Sequence, residues 1–216
     1  MGKLGRLFDR FRPTPKDGSQ ERAPLLPGRW VIAGLGNPGE QYRRSRHNLG
    51  FMAAQRVAAR HGVELNRRKF NGLYAETTIA ATPAIVVMPQ TFYNRSGDCL
   101  SSLLGCFKVP PAQLIVIHDE MDLPLPQIRI KRGGSDAGNR GVRSIAAALG
   151  TPDFIRIRIG VSHPGEAGQA INHVLKPLTH DELHSVEGVL ERVTDAVASL
   201  LADGLDRAMN LYNQRV

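Results

Sequence analysis

The chain has 216 residues, 42% hydrophobic and 22% charged, which excludes a disordered or fibrous polymer and suits one globular domain plus an appendage. No apolar run approaches the roughly 20 residues needed to span a bilayer. Twenty-eight basic against 20 acidic side chains give a net charge of +8, which favours a polyanionic partner. Cys99 and Cys106, seven apart in an apolar helical pattern, read as small core hydrophobes in a reducing, cytoplasmic setting.

Residues 1–28 differ from the rest. Six basic side chains (Lys3, Arg6, Arg10, Arg12, Lys16, Arg22) stand with three acids, and Pro13, Pro15, Pro24 and Pro27 oppose a packed element. Composition favours a disordered, dispensable arm. An electrostatic RNA tether is the functional alternative, and the acids with no apolar secretory core argue against a targeting segment. From residue 29 to 216 the pattern becomes one folded domain.

In chain order, Trp30 to Ala33 reads as a buried strand and Asn48 to His61 as a helix stopped by Gly62. Leu73 to Ala80 and Ala84 to Met88 are strands, Ser96 to Phe107 a helix, and Leu114 to Ile117 a fully apolar strand. Gln127 to Lys131 and Phe154 to Val161 alternate with period two, which predicts one wet face each. Asn139 to Leu149 reads as a helix. Thr179 and Glu182 form a capping box for a long final helix striped by Leu183, Val186, Leu190, Val193, Val197 and Leu200. Apolar strands interleaved with helices predict a single-domain α/β sandwich whose twisted, largely parallel mixed central sheet is flanked by helices.

Four segments carry candidate chemistry. Gly34-Leu35-Gly36-Asn37-Pro38-Gly39 satisfies G-x-G-x-x-G, but residues 55–63 hold no acid for a ribose and the helix starts late, so a dinucleotide site is set aside. The preferred reading is a rigid loop presenting Asn37; the alternative is an Asn-Pro-Gly turn with no ligand. His47, near a helix N-terminus, would be kept unprotonated and available as a base. Asp119, just past the Leu114 to Ile117 strand, is the carboxylate able to orient it. His118, Asp119, Glu120 and Asp122 could suggest a metal site, yet nothing nearby supplies further hard ligands, so no metal is expected. The loop Gly133 to Gly141 feeds a helix start that favours anions, strengthened by Arg140 and Arg143. Arg129, Lys131, Arg156 and Arg158 alternate along two strands and predict either a basic patch or a solvated face.

Taken together and in order, Gly34 to Gly39, Tyr42, Arg46-His47-Asn48, Pro89-Gln90-Thr91-Phe92-Tyr93-Asn94-Arg95-Ser96-Gly97, His118 to Pro124, Lys131 to Gly134 and Arg158 to Gly165 resemble the bacterial-type peptidyl-tRNA hydrolase family over roughly residues 30–212. The resemblance implies a monomeric enzyme, without metal or cofactor, that cleaves the ester joining a peptide to the 3′ ribose of tRNA. It implies His47 as the base that activates water and Asp119 as the group fixing its tautomer. Asn37 and Asn94 would position the substrate and help hold the oxyanion. Tyr42 would lie near the tRNA 3′ end, and Lys131 and Arg158 would meet tRNA phosphates. Tyr93, Asn139 and Arg140 join the expected substrate- or tRNA-binding set.

The chain departs from the family pattern at three places. Asn139-Arg140 stands where a His-Asn pair is usual, Asp136 replaces a histidine, and Tyr93 replaces a common methionine. Arg140 would compensate by pairing with phosphate. The altered loop also keeps open an alternative, a catalytically weak or inactive RNA-binding relative of the same fold.

Overall fold

The computed structural model describes residues 28–164 and 169–214; the expected arm, Gly28 apart, lies outside the described residues. The strands are β1 (Trp30–Gly34), β2 (Arg67–Lys69), β3 (Gly72–Ile79), β4 (Thr82–Pro89), β5 (Leu114–Glu120), β6 (Ile128–Arg132) and β7 (Ile155–Gly160). The helices are α1 (Leu49–Arg60), α2 (Ser96–Phe107), α3 (Arg140–Leu149), α4 (Ala170–Leu175), α5 (His180–Asp203) and α6 (Leu205–Tyr212). The strands form one sheet in the order β2-β3-β4-β1-β5-β7-β6. Its centre, β4-β1-β5-β7, is parallel; hairpins make the β2-β3-β4 edge antiparallel, and β6 pairs antiparallel with β7 across a connection that contains α3. The expected mixed, helix-flanked sheet is what the chain forms.

Period-two alternation sorts the strand side chains between two cores. Trp30, Ile32, Val86, Ile115, Ile117 and Ile157 pack with Ala54 and Val57 of α1 and with Val186, Leu190, Val193 and Val197 of α5. Val31, Ala33, Ile85, Val87, Leu114 and Val116 pack with Leu100, Leu103 and Leu104 of α2 and Val142 and Ile145 of α3. Each such aliphatic side chain contributes about 1.5–3 kcal/mol by leaving water. The chain leaves β1 towards α1 on one face and leaves β4 towards α2 on the other. Its loops therefore diverge beyond the carboxyl ends of the central strands and open a crevice there.

Two glycines set how closely α1 approaches that crevice. A Cβ on Gly50 would lie 2.4 Å from the Ile117 carbonyl oxygen and 2.5 Å from the Leu35 amide nitrogen. A Cβ on Gly34 would lie 2.0 Å from the Gly50 carbonyl oxygen. At the other end of the chain, Thr179 and Glu182 make the expected capping box of α5, with the Thr179 N–H donating to Glu182 Oε2 at 2.7 Å.

Three expectations change. His118, Asp119 and Glu120 belong to β5 rather than to a loop, because β7 pairs them with Arg158, Ile159 and Gly160. Cys106 is exposed while Cys99 is buried, since Cys106 sits at the edge of the α2 stripe in the helix's last turn. The short elements β2, α4 and α6 were not anticipated; β2 is all cationic and forms only as the hairpin partner of β3.

Candidate active site

The carboxyl ends of β1, β4 and β5 supply the site. Asn37 follows β1, Asn94 lies in a 3-10 turn (Tyr93–Arg95) after β4, and Asp119 is near the end of β5. His47 lies in a second 3-10 turn, Arg46–Asn48, that runs directly into α1. The structure thus brings together the four residues expected to do chemistry.

His47 Nδ1 lies 2.8 Å from Asp119 Oδ2 and 3.0 Å from Oδ1. Burial pushes the Asp119 carboxyl up, but the neighbouring His47 imidazole and the Tyr93 hydroxyl outweigh it and hold it below the usual carboxylate range. An ionised carboxylate can only accept, so in the neutral imidazole Nδ1 carries the proton and Nε2 the lone pair. The arrangement supplies a base whose tautomer is fixed from behind.

Asn37 is locked by reciprocal bonds with Asn48: the Asn37 N–H donates to Asn48 Oδ1 at 2.8 Å, and Asn48 Nδ2 donates to the Asn37 carbonyl at 3.0 Å. Its side-chain oxygen accepts from the Tyr93 N–H at 2.9 Å. That contact fixes the amide orientation and leaves the NH2 group for an occupant of the crevice. Asn48, which stood in the sequence as part of the histidine motif, therefore serves the loop rather than a substrate.

Tyr93, expected among the substrate contacts, borders the cavity, but it is only 3% exposed and its ring stacks on His47 at 3.5 Å between centroids and 14° between planes. Its hydroxyl donates to Asp119 Oδ1 at 2.7 Å. Burial first, and the Asp119 charge second, push this phenol well above its ordinary value, so it remains a donor.

A cavity of about 450 Å³ opens beside these groups, with Asn37, Tyr42, His47, Asn94, Asn139 and Arg140 on its polar wall. Its rim carries Phe92 and Ile171, which are 61% and 56% exposed. Sequence reasoning missed this apolar rim; the available signal was a large apolar residue lying outside any periodic stripe. Such exposed apolar groups at a polar cleft are the usual mark of a binding site.

The basic strands lie beside the cavity rather than in its wall. Register places Arg129 opposite Arg158 and Lys131 opposite Arg156 on one sheet face. Arg158 Nε donates to Glu120 Oε2 at 2.9 Å, which ties it to a cavity residue. Burial, then the adjoining Arg156 and Arg158, push the Lys131 ammonium down. Arg156 is not on a wet face: it is 1% exposed and donates to the Gly133, Gly134 and Ser135 carbonyls, holding the glycine loop from beneath. His118 is also buried, its imidazole pushed down by burial, with Nδ1 donating to the Asp119 carbonyl at 2.7 Å. Among the described residues, no group of three or more His, Cys, Asp or Glu side chains could hold a metal ion.

The sequence profile described as peptidyl-tRNA hydrolase matches residues 31–216. The chain belongs to the peptidyl-tRNA hydrolase family. It is 40% identical over 190 residues to the peptidyl-tRNA hydrolase of Frankia casuarinae, covering 88% of this chain and 96% of that protein. It is 44% identical over 179 residues to that of Halorhodospira halophila, covering 82% and 92% respectively. A crystal structure of peptidyl-tRNA hydrolase from Acinetobacter baumannii superposes with a TM-score of 0.81 at 32% identity, covering 85% of this chain and 94% of the other.

Within this peptidyl-tRNA hydrolase family member, the unusual loop is well built. Asn139 caps α3 by accepting from the Val142 N–H at 3.0 Å and donates through Nδ2 to the Tyr93 hydroxyl at 3.0 Å. Asp136 binds Arg143 through both carboxylate oxygens and accepts from the Gly138 N–H at 2.8 Å. Arg140, next along, is exposed at the cavity wall.

Proposed function

We propose that this chain hydrolyses the ester between a peptide, or N-blocked amino acid, and the 3′ ribose of tRNA, recycling peptidyl-tRNA released from stalled ribosomes. The observation that carries this is the His47–Asp119 pair, 2.8 Å apart, beside a cavity that holds the Asn37 amide, in a chain of this family. His47 Nε2 takes a proton from water as its oxygen attacks the ester carbonyl. Asn37 and Asn94 donate to the oxyanion of the tetrahedral intermediate. Its collapse breaks the carbon–oxygen bond to the ribose, and the 3′ oxygen leaves with the proton held on Nε2. Asp119 stays ionised throughout and stabilises the imidazolium. General-base assistance is worth about 10²–10⁴-fold and one oxyanion donor about 10²–10³-fold, enough for an ester with a good leaving group.

The polyanion is held outside the reacting centre. Tyr42 lies against the 3′ end, Arg140 meets a phosphate near it, and Lys131 and Arg158 meet phosphates farther along the acceptor arm. One chain supplies every group of the site, which supports a monomer, and we assign it to the cytoplasm. No helix among the described residues is long and apolar enough to cross a membrane. Residues 1–28 act as a dispensable arm: their removal leaves hydrolysis within a few-fold at moderate salt, and near-total loss would reject that. The function itself is tested by incubating the protein with N-acetylated aminoacyl-tRNA. Catalytic release of the blocked amino acid with intact tRNA is expected; tRNA binding without release would overturn the esterase reading.

A further inference from the structure

Resting on the esterase reading, we propose that Tyr93 is a positioning residue of the His47–Asp119 pair, acting through both members at once rather than through the substrate. Its hydroxyl reaches Asp119 Oδ1 at 2.7 Å while its ring lies flat on the His47 imidazole at 3.5 Å. A third contact fixes where Tyr93 itself sits, because its N–H is held by Asn37 Oδ1 at 2.9 Å.

The network has a single proton direction. Asn139 Nδ2 can only donate, and it does so to the Tyr93 oxygen at 3.0 Å. With its acceptor side occupied, the phenol directs its one proton to Asp119. Oδ1 is thereby pinned, and Oδ2 is presented to His47 Nδ1 at 2.8 Å. The stacked ring blocks the imidazole from tilting out of the carboxylate's reach. Asn139 is fixed in turn by its own cap on α3. The two unusual residues, Tyr93 and Asn139, thus work as one unit, which a change at either position alone would break.

The electrostatic consequence has a definite sign. A donor on Oδ1 withdraws part of the charge that Asp119 offers to the imidazolium, so removing it strengthens Asp119 as a partner for protonated His47. The base then stays protonated to higher pH. The ionisable groups around the pair are His118 and Glu120 of β5, Tyr42 and Arg140 across the cavity, and Tyr93 itself; α4 presents apolar side chains. None of the others donates a side-chain hydrogen bond to the Asp119 carboxylate among the described residues.

Tyr93→Phe keeps the ring and removes only the donor. We expect kcat to fall about tenfold, the scale of a hydrogen bond to a charged group, with KM within about twofold. The acid limb of the kcat profile should move up by roughly half a pH unit. The His47 Cε1 proton, followed by NMR titration in the free protein, should move the same way. Tyr93→Leu, which also removes the stack, should lose more than Tyr93→Phe. An unshifted His47 titration, or a rise in KM alone, would overturn the proposal; the second result would return Tyr93 to substrate binding. The titration needs no turnover, so it decides on Tyr93 even if the intact protein proves unable to cleave the ester.

Discussion

A carboxylate that is 4% exposed keeps its charge only where donors replace lost water, and Asp119 has two, His47 Nδ1 and the Tyr93 hydroxyl. Asp119→Asn would present Nδ1 with an amide that can donate. The imidazole would then favour the tautomer carrying its proton on Nε2, where no water can be deprotonated. We expect kcat to fall about 10²–10⁴-fold with tRNA affinity unchanged, measured by single-turnover release beside a binding titration. The pairing of His47 with Asp119 was legible because each stands at a place where local chemistry and chain geometry agree, a helix start and a strand end. The contacts of Tyr93 were not. Its partners are 26 and 46 residues away, and no local spacing announces a tertiary stack. Arg156 failed for a related reason: alternation says which sheet face a side chain takes, not that a glycine loop will cover it.

At the scale of elements, the position of α1 decides where His47 stands. Gly50→Ala would force a Cβ to 2.4 Å from the Ile117 carbonyl oxygen, so the helix must move. Overpacking of this kind costs about 1–3 kcal/mol, and a displacement near 1 Å at the base costs about 10²-fold in rate. Denaturant unfolding and kcat should both register the change. From the other side, Arg46 holds the turn by bonding Glu182 at 2.6 and 2.8 Å and the Pro177 carbonyl at 3.2 Å. Burial pushes the Glu182 carboxyl up, but the Thr179 N–H and Arg46 outweigh it and hold it below its ordinary value. A depressed folded value contributes stability above the unfolded pKa and loses it as pH falls through the folded one. Glu182→Gln should therefore cost about 2 kcal/mol near neutrality, and the gap to the unsubstituted protein should narrow as pH falls below the ordinary glutamate range, read from unfolding at several pH values. Strands and helices of the centre were legible from their apolar periods. β5 ran three residues past its apolar run because pairing with β7, not hydrophobicity, extends it.

Across the whole molecule, the net charge is +8. Arg129, Lys131 and Arg158 share one face of β6 and β7, while Arg140 lines the cavity. Releasing counterions from a nucleic acid makes affinity fall with salt, by roughly one logarithmic unit of slope per phosphate neutralised. Arg140→Asn and Lys131→Ala should each reduce that slope by about one, measured by tRNA binding across salt concentrations; an unchanged slope would remove that residue from the RNA face. The sequence could give the sign of this partner but not its footprint, because the footprint depends on which cations the fold uses internally. We propose that His47, oriented by Asp119, activates the water that cleaves the ester. The most direct measurement compares release of N-acetylated amino acid from tRNA by the intact protein and by His47→Ala, with tRNA affinity measured for both. We expect release by the intact protein and a loss of about 10²–10⁴-fold in the variant at equal affinity. Equal release by the two would contradict it, and binding by both with release by neither would make the chain an RNA-binding relative.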